Sequence, residues 1–212
     1  MIGVIDYGMG NLFSVQKALE RLKAPFFVSE SIDELETASG LILPGVGAFP
    51  DAMKKLTETD MVPFIERKAA EGIPLLGICL GMQLLFTKSE EHGEHNGLGL
   101  LEGEVVRFPG KTEENQTYKV PHIGWNNLVF HKRDNQLLSG LEEDFAYFVH
   151  SYYVRADEDA VIAYSDYFDV KVPAIVGRDH IFGMQFHPEK SSKLGMQLLS
   201  NFTKLAGQGE RS

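Results

Sequence analysis

One cysteine, one histidine and one glutamate carry the chemistry that this sequence can be read for. Cys79 is the sole cysteine among 212 residues. It stands in Gly77-Ile78-Cys79-Leu80-Gly81, after an apolar run and before a stretch of helical spacing. That context predicts strand, tight turn and helix, a nucleophile elbow with a thiol in place of a hydroxyl. Glycines two residues to either side remove the side chains that would collide in so sharp a turn. The thiol is expected at a helix start, whose partial positive charge favours a thiolate. The Leu80 N–H is expected to face the same space as an oxyanion donor. A lone cysteine is more often a small buried hydrophobe. Here the glycine frame and the strand-to-helix setting favour the nucleophile.

An acyl-transferring thiolate needs a partner that exchanges a proton near neutral pH, and histidine does so. Among seven histidines, His187 stands out in Gln185-Phe186-His187-Pro188-Glu189. Pro188 biases His187 toward extended backbone. In an extended stretch, residues two apart project to the same side. Glu189 is therefore expected beside His187, fixing its tautomer and stabilising the imidazolium. His92 and His95 flank a polar loop and read as solvated, with no further ligands for a metal. His131 and His180 lie near turns, whereas His122 and His150 are less readily set aside. A second oxyanion donor is expected from Val46 or Gly47 in Pro44-Gly45-Val46-Gly47, a turn that lets backbone N–H groups approach a reacting carbonyl.

The elements that must position these groups follow from the apolar pattern. Residues 1–5, 25–28, 40–43 and 73–78 read as buried strands. Helical stretches lie between them: one capped by Asn11, then 31–37, 48–58 and 61–71, with another starting at Leu80. Buried strands alternating with helices predict a mostly parallel sheet covered on both faces. Ligands of such sheets sit beyond the carboxyl ends of the strands, where residues 6–11, 44–47 and the Cys79 turn converge. The second half is strand-rich, with expected strands at 100–108, 128–131, 145–154, 160–164, 172–176 and 181–186. A helix over 191–205 follows. The expected architecture is one α/β domain over 1–206 with an antiparallel elaboration, and a frayed end at 207–212.

Composition narrows the function. The chain is 43% hydrophobic and carries a formal net charge of -10. An acidic surface repels phosphate backbones and anionic membranes, so neither nucleic acid nor membrane is an expected partner. A single cysteine cannot form an internal disulfide, and no signal segment is read at the N-terminus. The expected location is the cytoplasm.

Together these features resemble the class I, triad-type glutamine amidotransferases. The resemblance rests on Gly77-Ile78-Cys79-Leu80-Gly81-Met82-Gln83 and on Gln185-Phe186-His187-Pro188-Glu189-Lys190-Ser191, and runs from residue 1 to about 205. Within the family the chain is most similar to the glutaminases of histidine biosynthesis. That narrower likeness rests on Asp6-Tyr7-Gly8-Met9-Gly10-Asn11-Leu12, Leu43-Pro44-Gly45-Val46-Gly47-Ala48-Phe49, Val120-Pro121-His122-Ile123-Gly124-Trp125-Asn126 and Tyr147-Phe148-Val149-His150-Ser151-Tyr152. The resemblance implies a Cys79, His187 and Glu189 triad that hydrolyses glutamine through a glutamyl thioester. It implies that Gly45, Gln83, Glu91, Ser151 and Tyr152 bind the substrate, with Glu91 suited to its α-ammonium. It implies no cofactor and no metal. It also implies a heterodimer with a (β/α)-barrel cyclase subunit that receives the ammonia, in contact with Asn11, His122, Trp125, Asn126, Tyr147 and Lys190. Two positions depart from the pattern. Many members have Gly-Gly where this chain has Gly45-Val46-Gly47, and a Val peptide is less free to turn its N–H inward, so an incomplete resting oxyanion hole is expected. Position 123 is Ile where Met is expected. A glutaminase for another synthase, a cysteine peptidase on a similar scaffold and a flavodoxin-like binding module are the competing readings.

Overall fold

In the computed structural model, which describes residues 1–208, the first half follows the alternation of its apolar runs. It comprises β1 (Ile2–Ile5), α1 (Leu12–Arg21), β2 (Phe26–Ser29), α2 (Ile32–Leu35), β3 (Gly40–Gly45), α3 (Phe49–Glu58), α4 (Met61–Ala70), β4 (Leu75–Cys79) and α5 (Leu80–Leu84). Strands β1, β3 and β4 are buried at every position, as parallel strands covered on both faces must be. Asn11 caps α1, its side-chain oxygen accepting the Ser14 N–H. Ser31 caps α2 in the same way.

The second half is β5 (Phe86–Ser89), β6 (His95–Asn96), β7 (Leu101–Arg107), β8 (His122–Asn127), β9 (Val129–Phe130), β10 (Phe145–His150), β11 (Tyr152–Ala156), β12 (Val161–Tyr167), β13 (Val170–Arg178), β14 (Ile181–Met184) and α6 (Ser192–Gln208). Three differences from the sequence reading have physical causes. The helix after Cys79 is only one turn long. Returning residues 97–101 donate their N–H groups to the carbonyls of Leu84, Leu85, Phe86 and Thr87, which a longer helix would need for itself. The run expected as one strand over 145–154 breaks at Ser151, because β10 pairs with β8 while β11 pairs with β7. Strand β8 carried no strand signal because its pattern is inverted, with His122 buried and Ile123 and Trp125 exposed. The end expected to fray at 207–212 lies, from 209 on, outside the described residues, and α6 runs through 207 and 208.

The main sheet has eight strands in the order β2-β1-β3-β4-β14-β13-β12-β9. Strands β2, β1, β3, β4 and β14 are parallel, and β13, β12 and β9 add on antiparallel. Successive residues of β3 and β4 serve opposite cores. Ile42, Leu76 and Ile78 pack with Val15 and Leu19 of α1 and Leu198 and Phe202 of α6. Leu41, Leu43 and Leu75 pack with Phe49, Leu56, Phe64 and Ile65 of α3 and α4. Truncating a fully buried Phe such as Phe202 is expected to cost about 3–5 kcal/mol. A four-stranded sheet, β11-β7-β5-β6, extends the second core through Phe86, Leu101, Val105 and Val154. The pair β10-β8 stands apart, and its buried Phe148 joins the first core.

The elbow is fixed by backbone meeting backbone. A Cβ on Gly81 would lie 1.9 Å from the Leu43 carbonyl oxygen, and one on Gly77 would lie 2.5 Å from that of Gly81. Helix α5 therefore crosses β3 and β4 at a separation that only glycine permits. Gly81→Ala is expected to destabilise the fold by about 2–3 kcal/mol, read as a lowered urea midpoint at unchanged slope. A midpoint equal to that of the unsubstituted protein would refute the crossing as a packing constraint.

Candidate active site

Cys79 ends β4 and is the residue before α5, with φ +55° and ψ -112°. Such a backbone is sparsely populated by any residue with a Cβ and stores on the order of 1–3 kcal/mol of strain. The strain is held by what surrounds it: Gly45 is in register with Cys79 across β3 and β4, and Leu80 to Leu84 are wholly buried. Because α5 is one turn long, it contributes oriented N–H groups more than a macrodipole.

His187 follows β14 and is extended, at φ -96° and ψ 97°, as the proline after it requires. Its Nδ1 is 2.8 Å from Oε1 of Glu189. The pair forms by a different route from strand alternation. Pro188–Lys190 is a 3-10 turn, closed by the Lys190 N–H donating to the His187 carbonyl, and it folds Glu189 back onto the ring. Both side chains are buried. Cys79, which lines the same cavity, also favours the protonated His187 ring. Burial pushes the imidazolium toward loss of its proton. The hydrogen bonds and negative charges of Cys79 and Glu189 outweigh that and hold the His187 pKa up, at about 9.

The triad opens into a cavity of about 360 Å³. Its lining brings together Val46 and Gly47 from the β3 turn, Cys79 and Leu80 of the elbow, Gln83, Glu91, and the corner residues His150, Ser151 and Tyr152. Gln83 is buried and donates its side-chain N–H groups to the Tyr152 carbonyl and to Gln185 Oε1. Glu91 Oε2 accepts the Phe49 N–H at the start of α3, which anchors its loop at the cavity. Gly45, expected among the substrate contacts, is absent from the lining. It is packed against the elbow, where a Cβ would lie 2.7 Å from the Gly81 nitrogen.

The residues expected to face a partner divide. Trp125 is 49% exposed, in ring contact with the half-buried Tyr147. Lys190 is exposed, and Asn11 and Asn126 are half-buried. His122 is the correction: it is fully buried, stacked between Phe148 and Tyr167. Its inward register on β8 turns Ile123 and Trp125 outward in its place. His92 and His95 form no cluster, and among the described residues no three His, Cys, Asp or Glu are arranged to hold a metal ion.

Sequence reasoning missed three contributors. The Tyr7 hydroxyl is buried without a partner beside Gly45, its pKa raised first by burial and then by the charge of Cys79. Ser191 Oγ donates to the His187 carbonyl and accepts the Tyr147 N–H, tying the triad turn to β10. The His187 N–H adds a bond to the Tyr147 carbonyl. Gln185 holds Gln83. Ser191 and Gln185 lie in the quoted triad motif and Tyr7 in the first turn motif, but sequence spacing gives no sign of their partners.

The class I glutamine amidotransferase family model matches residues 3–205. The chain is 61% identical to the imidazole glycerol phosphate synthase subunit HisH of Geobacillus kaustophilus (strain HTA426), over 99% of each chain. It is 56% identical to the HisH subunit of Bacillus subtilis (strain 168), over 98% of each. Among solved structures, a crystal structure of a glutamine amidotransferase superposes with a TM-score of 0.75 at 24% identity, over 97% of this chain and 98% of that one. The glutaminase domain of Trypanosoma brucei CTPS with bound acivicin superposes at 0.66 and 16% identity, over 98% and 93%. These two carry the fold alone.

A histidine NMR titration is expected to place the His187 midpoint near pH 9. In Glu189→Gln the midpoint moves lower, because burial is then opposed by Cys79 alone. The folded pKa stands above the ordinary 6.5, so protonated His187 stabilises the fold fully below about pH 6.5. That contribution is lost as pH rises through about 9. A midpoint at or below 6.5 would contradict the charge environment described here.

Proposed function

The chain belongs to the class I glutamine amidotransferase family, and from that premise we propose that it is the glutaminase subunit of an imidazole glycerol phosphate synthase. The observation that carries the chemistry is His187, buried beside the Cys79 thiol and the Glu189 carboxylate, on a cavity of about 360 Å³ that Cys79 also lines. The Cys79 sulfur attacks the carboxamide carbon of glutamine, and the carbonyl electrons move onto oxygen. N–H groups of Leu80 and of the turn at Val46 and Gly47 are the donors for that oxyanion. As the C–N bond breaks, His187 gives its proton to the departing nitrogen and ammonia leaves, with a glutamyl thioester on Cys79. Water then attacks the thioester, His187 takes its proton, and glutamate and the thiolate are released. Glu189 keeps the ring oriented and its charge balanced throughout.

On this reading residues 1–206 are one glutaminase domain, with Ser151 and Tyr152 at the substrate carboxylate and Gln83 and Glu91 at its ammonium. The ammonia passes to a (β/α)-barrel cyclase subunit. That subunit uses it to make imidazole glycerol phosphate and an aminoimidazole carboxamide ribonucleotide in histidine biosynthesis. Ile123, Trp125, Phe145 and Val149 leave a large apolar surface on the β8-β10 pair, and Val46 at the cavity is 40% exposed. Together with Asn11, Asn126, Tyr147 and Lys190, these are the residues we assign to the cyclase contact. The same β10 holds the triad turn through Tyr147, so docking on it bears directly on His187. We place the complex in the cytoplasm, since a lone thiol suits a reducing compartment. Among the described residues no helix is long and apolar enough to cross a membrane.

Glutamate release is the measurement that tests this. It is expected to rise by more than about tenfold when the cyclase subunit is added, and to vanish in Cys79→Ala. Trp125→Ala is expected to weaken the complex by about 2 kcal/mol or more while leaving basal turnover in place. Stimulation by a different synthase and not by the cyclase would move the chain to another acceptor. Full turnover in Cys79→Ala would sink the mechanism.

A further inference from the structure

The mechanism leaves two buried imidazoles unused. His150 Nδ1 lies 2.7 Å from the Tyr152 carbonyl oxygen. A carbonyl only accepts, so His150 carries its proton on Nδ1. Its Nε2 is 3.1 Å from His122 Nδ1. Burial, and then the neighbouring His122, push the His150 pKa down to about 3, so the ring stays neutral at physiological pH. Phe108 and Phe148 pack against both rings and Tyr167 stacks on His122. His122 Nε2 is 2.9 Å from Asn126 Oδ1. Asn126 Nδ2 donates to the Asp166 carbonyl, so its Oδ1 accepts from His122 Nε2, and burial lowers the His122 pKa. The firm bond from His150 runs inward.

It runs to the substrate cavity. The Tyr152 carbonyl that His150 holds also accepts from Gln83 Nε2 at 3.0 Å. The second N–H of that amide goes to Gln185 Oε1 at 3.1 Å. Both donors of Gln83 are thereby tied to buried acceptors, and Oε1 is the amide atom left open to the cavity. Turning the amide over would set an oxygen against two oxygens. Gln83 thus presents an acceptor, on the cavity wall that also carries the Glu91 carboxylate. Two acceptors, one of them charged, suit an ammonium group.

We propose that His150 is a positioning residue for recognition of the substrate α-ammonium, acting through the Tyr152 carbonyl and the Gln83 amide. The proposal rests on the glutaminase reading. It predicts a loss confined to substrates that carry the ammonium.

The test uses the complex with the cyclase subunit and two substrates, L-glutamine and glutaramate, which keeps the carboxamide and carboxylate but lacks the α-ammonium. His150→Asn places an amide N–H where Nδ1 stood and retains the bond to Tyr152. His150→Gln places its amide at Nε2 and loses that bond. His150→Gln is expected to lower kcat/KM for glutamine about tenfold, chiefly through KM, with glutaramate unchanged within about twofold. His150→Asn is expected to keep most of the glutamine activity. Gln185→Met, which frees the other N–H of the same amide, is expected to reproduce the glutamine-selective loss. Parallel losses on both substrates, or equal losses in His150→Asn and His150→Gln, would overturn the proposal. If the unsubstituted complex hydrolyses neither substrate, the glutaminase reading itself has failed.

Discussion

The active site depends on one close crossing, where the first turn of α5 lies on the ends of β3 and β4. Gly45, Gly77 and Gly81 meet there with no room for a Cβ on any of them. The crossing lets the chain reverse from strand to helix within one residue, and that residue is Cys79, at positive φ. A strained backbone of this kind costs on the order of 1–3 kcal/mol and persists only where its surroundings over-determine it. The flanking Leu80, Met82 and Leu84 supply that constraint, being wholly buried in the core shared with α3 and α4. Strain at the nucleophile is therefore sustained by burial around it, and the thiol is presented at the sheet edge with little conformational freedom to lose on reaction.

The base reaches the thiol from the opposite end of the chain, and its support comes from a third region. His187 and its 3-10 turn hang from β10 by two hydrogen bonds, the Tyr147 N–H to Ser191 Oγ and the His187 N–H to the Tyr147 carbonyl, and Ser191 Oγ also donates to the His187 carbonyl within the turn. Strand β10 in turn pairs with β8 along its whole length, outside the main sheet. That two-stranded ribbon has an exposed apolar face and a buried face that meets the triad turn. Its tie to the triad turn runs through the Tyr147 backbone, directly to the His187 N–H and by way of the Ser191 hydroxyl.

The parallel half was legible in the sequence because its strands are continuous apolar runs, and β1, β3 and β4 each lead into a glycine-bearing turn. Cys79, His187 and Glu189 were legible because their neighbours, two glycines and a proline, are residues whose backbone effects are strong and local. The ribbon was not. Strand β8 points Ile123 and Trp125 at solvent and His122 at the core, so the usual alternation runs backwards. A surface that is apolar for another purpose erases the signal that marks a strand. The helix expected from Leu80 is present, but its shortness is hidden for a different reason. Its length is set by residues 97–101, which are distant in sequence and compete for its carbonyls. The Glu189 contact was foreseen with the wrong geometry, because Pro188 constrains the residue before it but also suits the first position of a turn.

Two buried histidines border the same cavity and are held in opposite protonation states by what they touch. His187 faces a thiol and a carboxylate, and their pull on its proton exceeds the penalty of burial. His150 faces another imidazole and a carbonyl, which offer no negative charge, and burial wins. The first ring must gain and lose a proton on each turnover, so it needs neighbours whose charge changes with its own. The second is useful only while its tautomer is fixed, since a mobile proton would release the Tyr152 carbonyl and with it the orientation of Gln83. Burial thus serves both roles, and the choice between acid–base catalyst and fixed donor is made by the neighbouring thiol and carboxylate of Cys79 and Glu189.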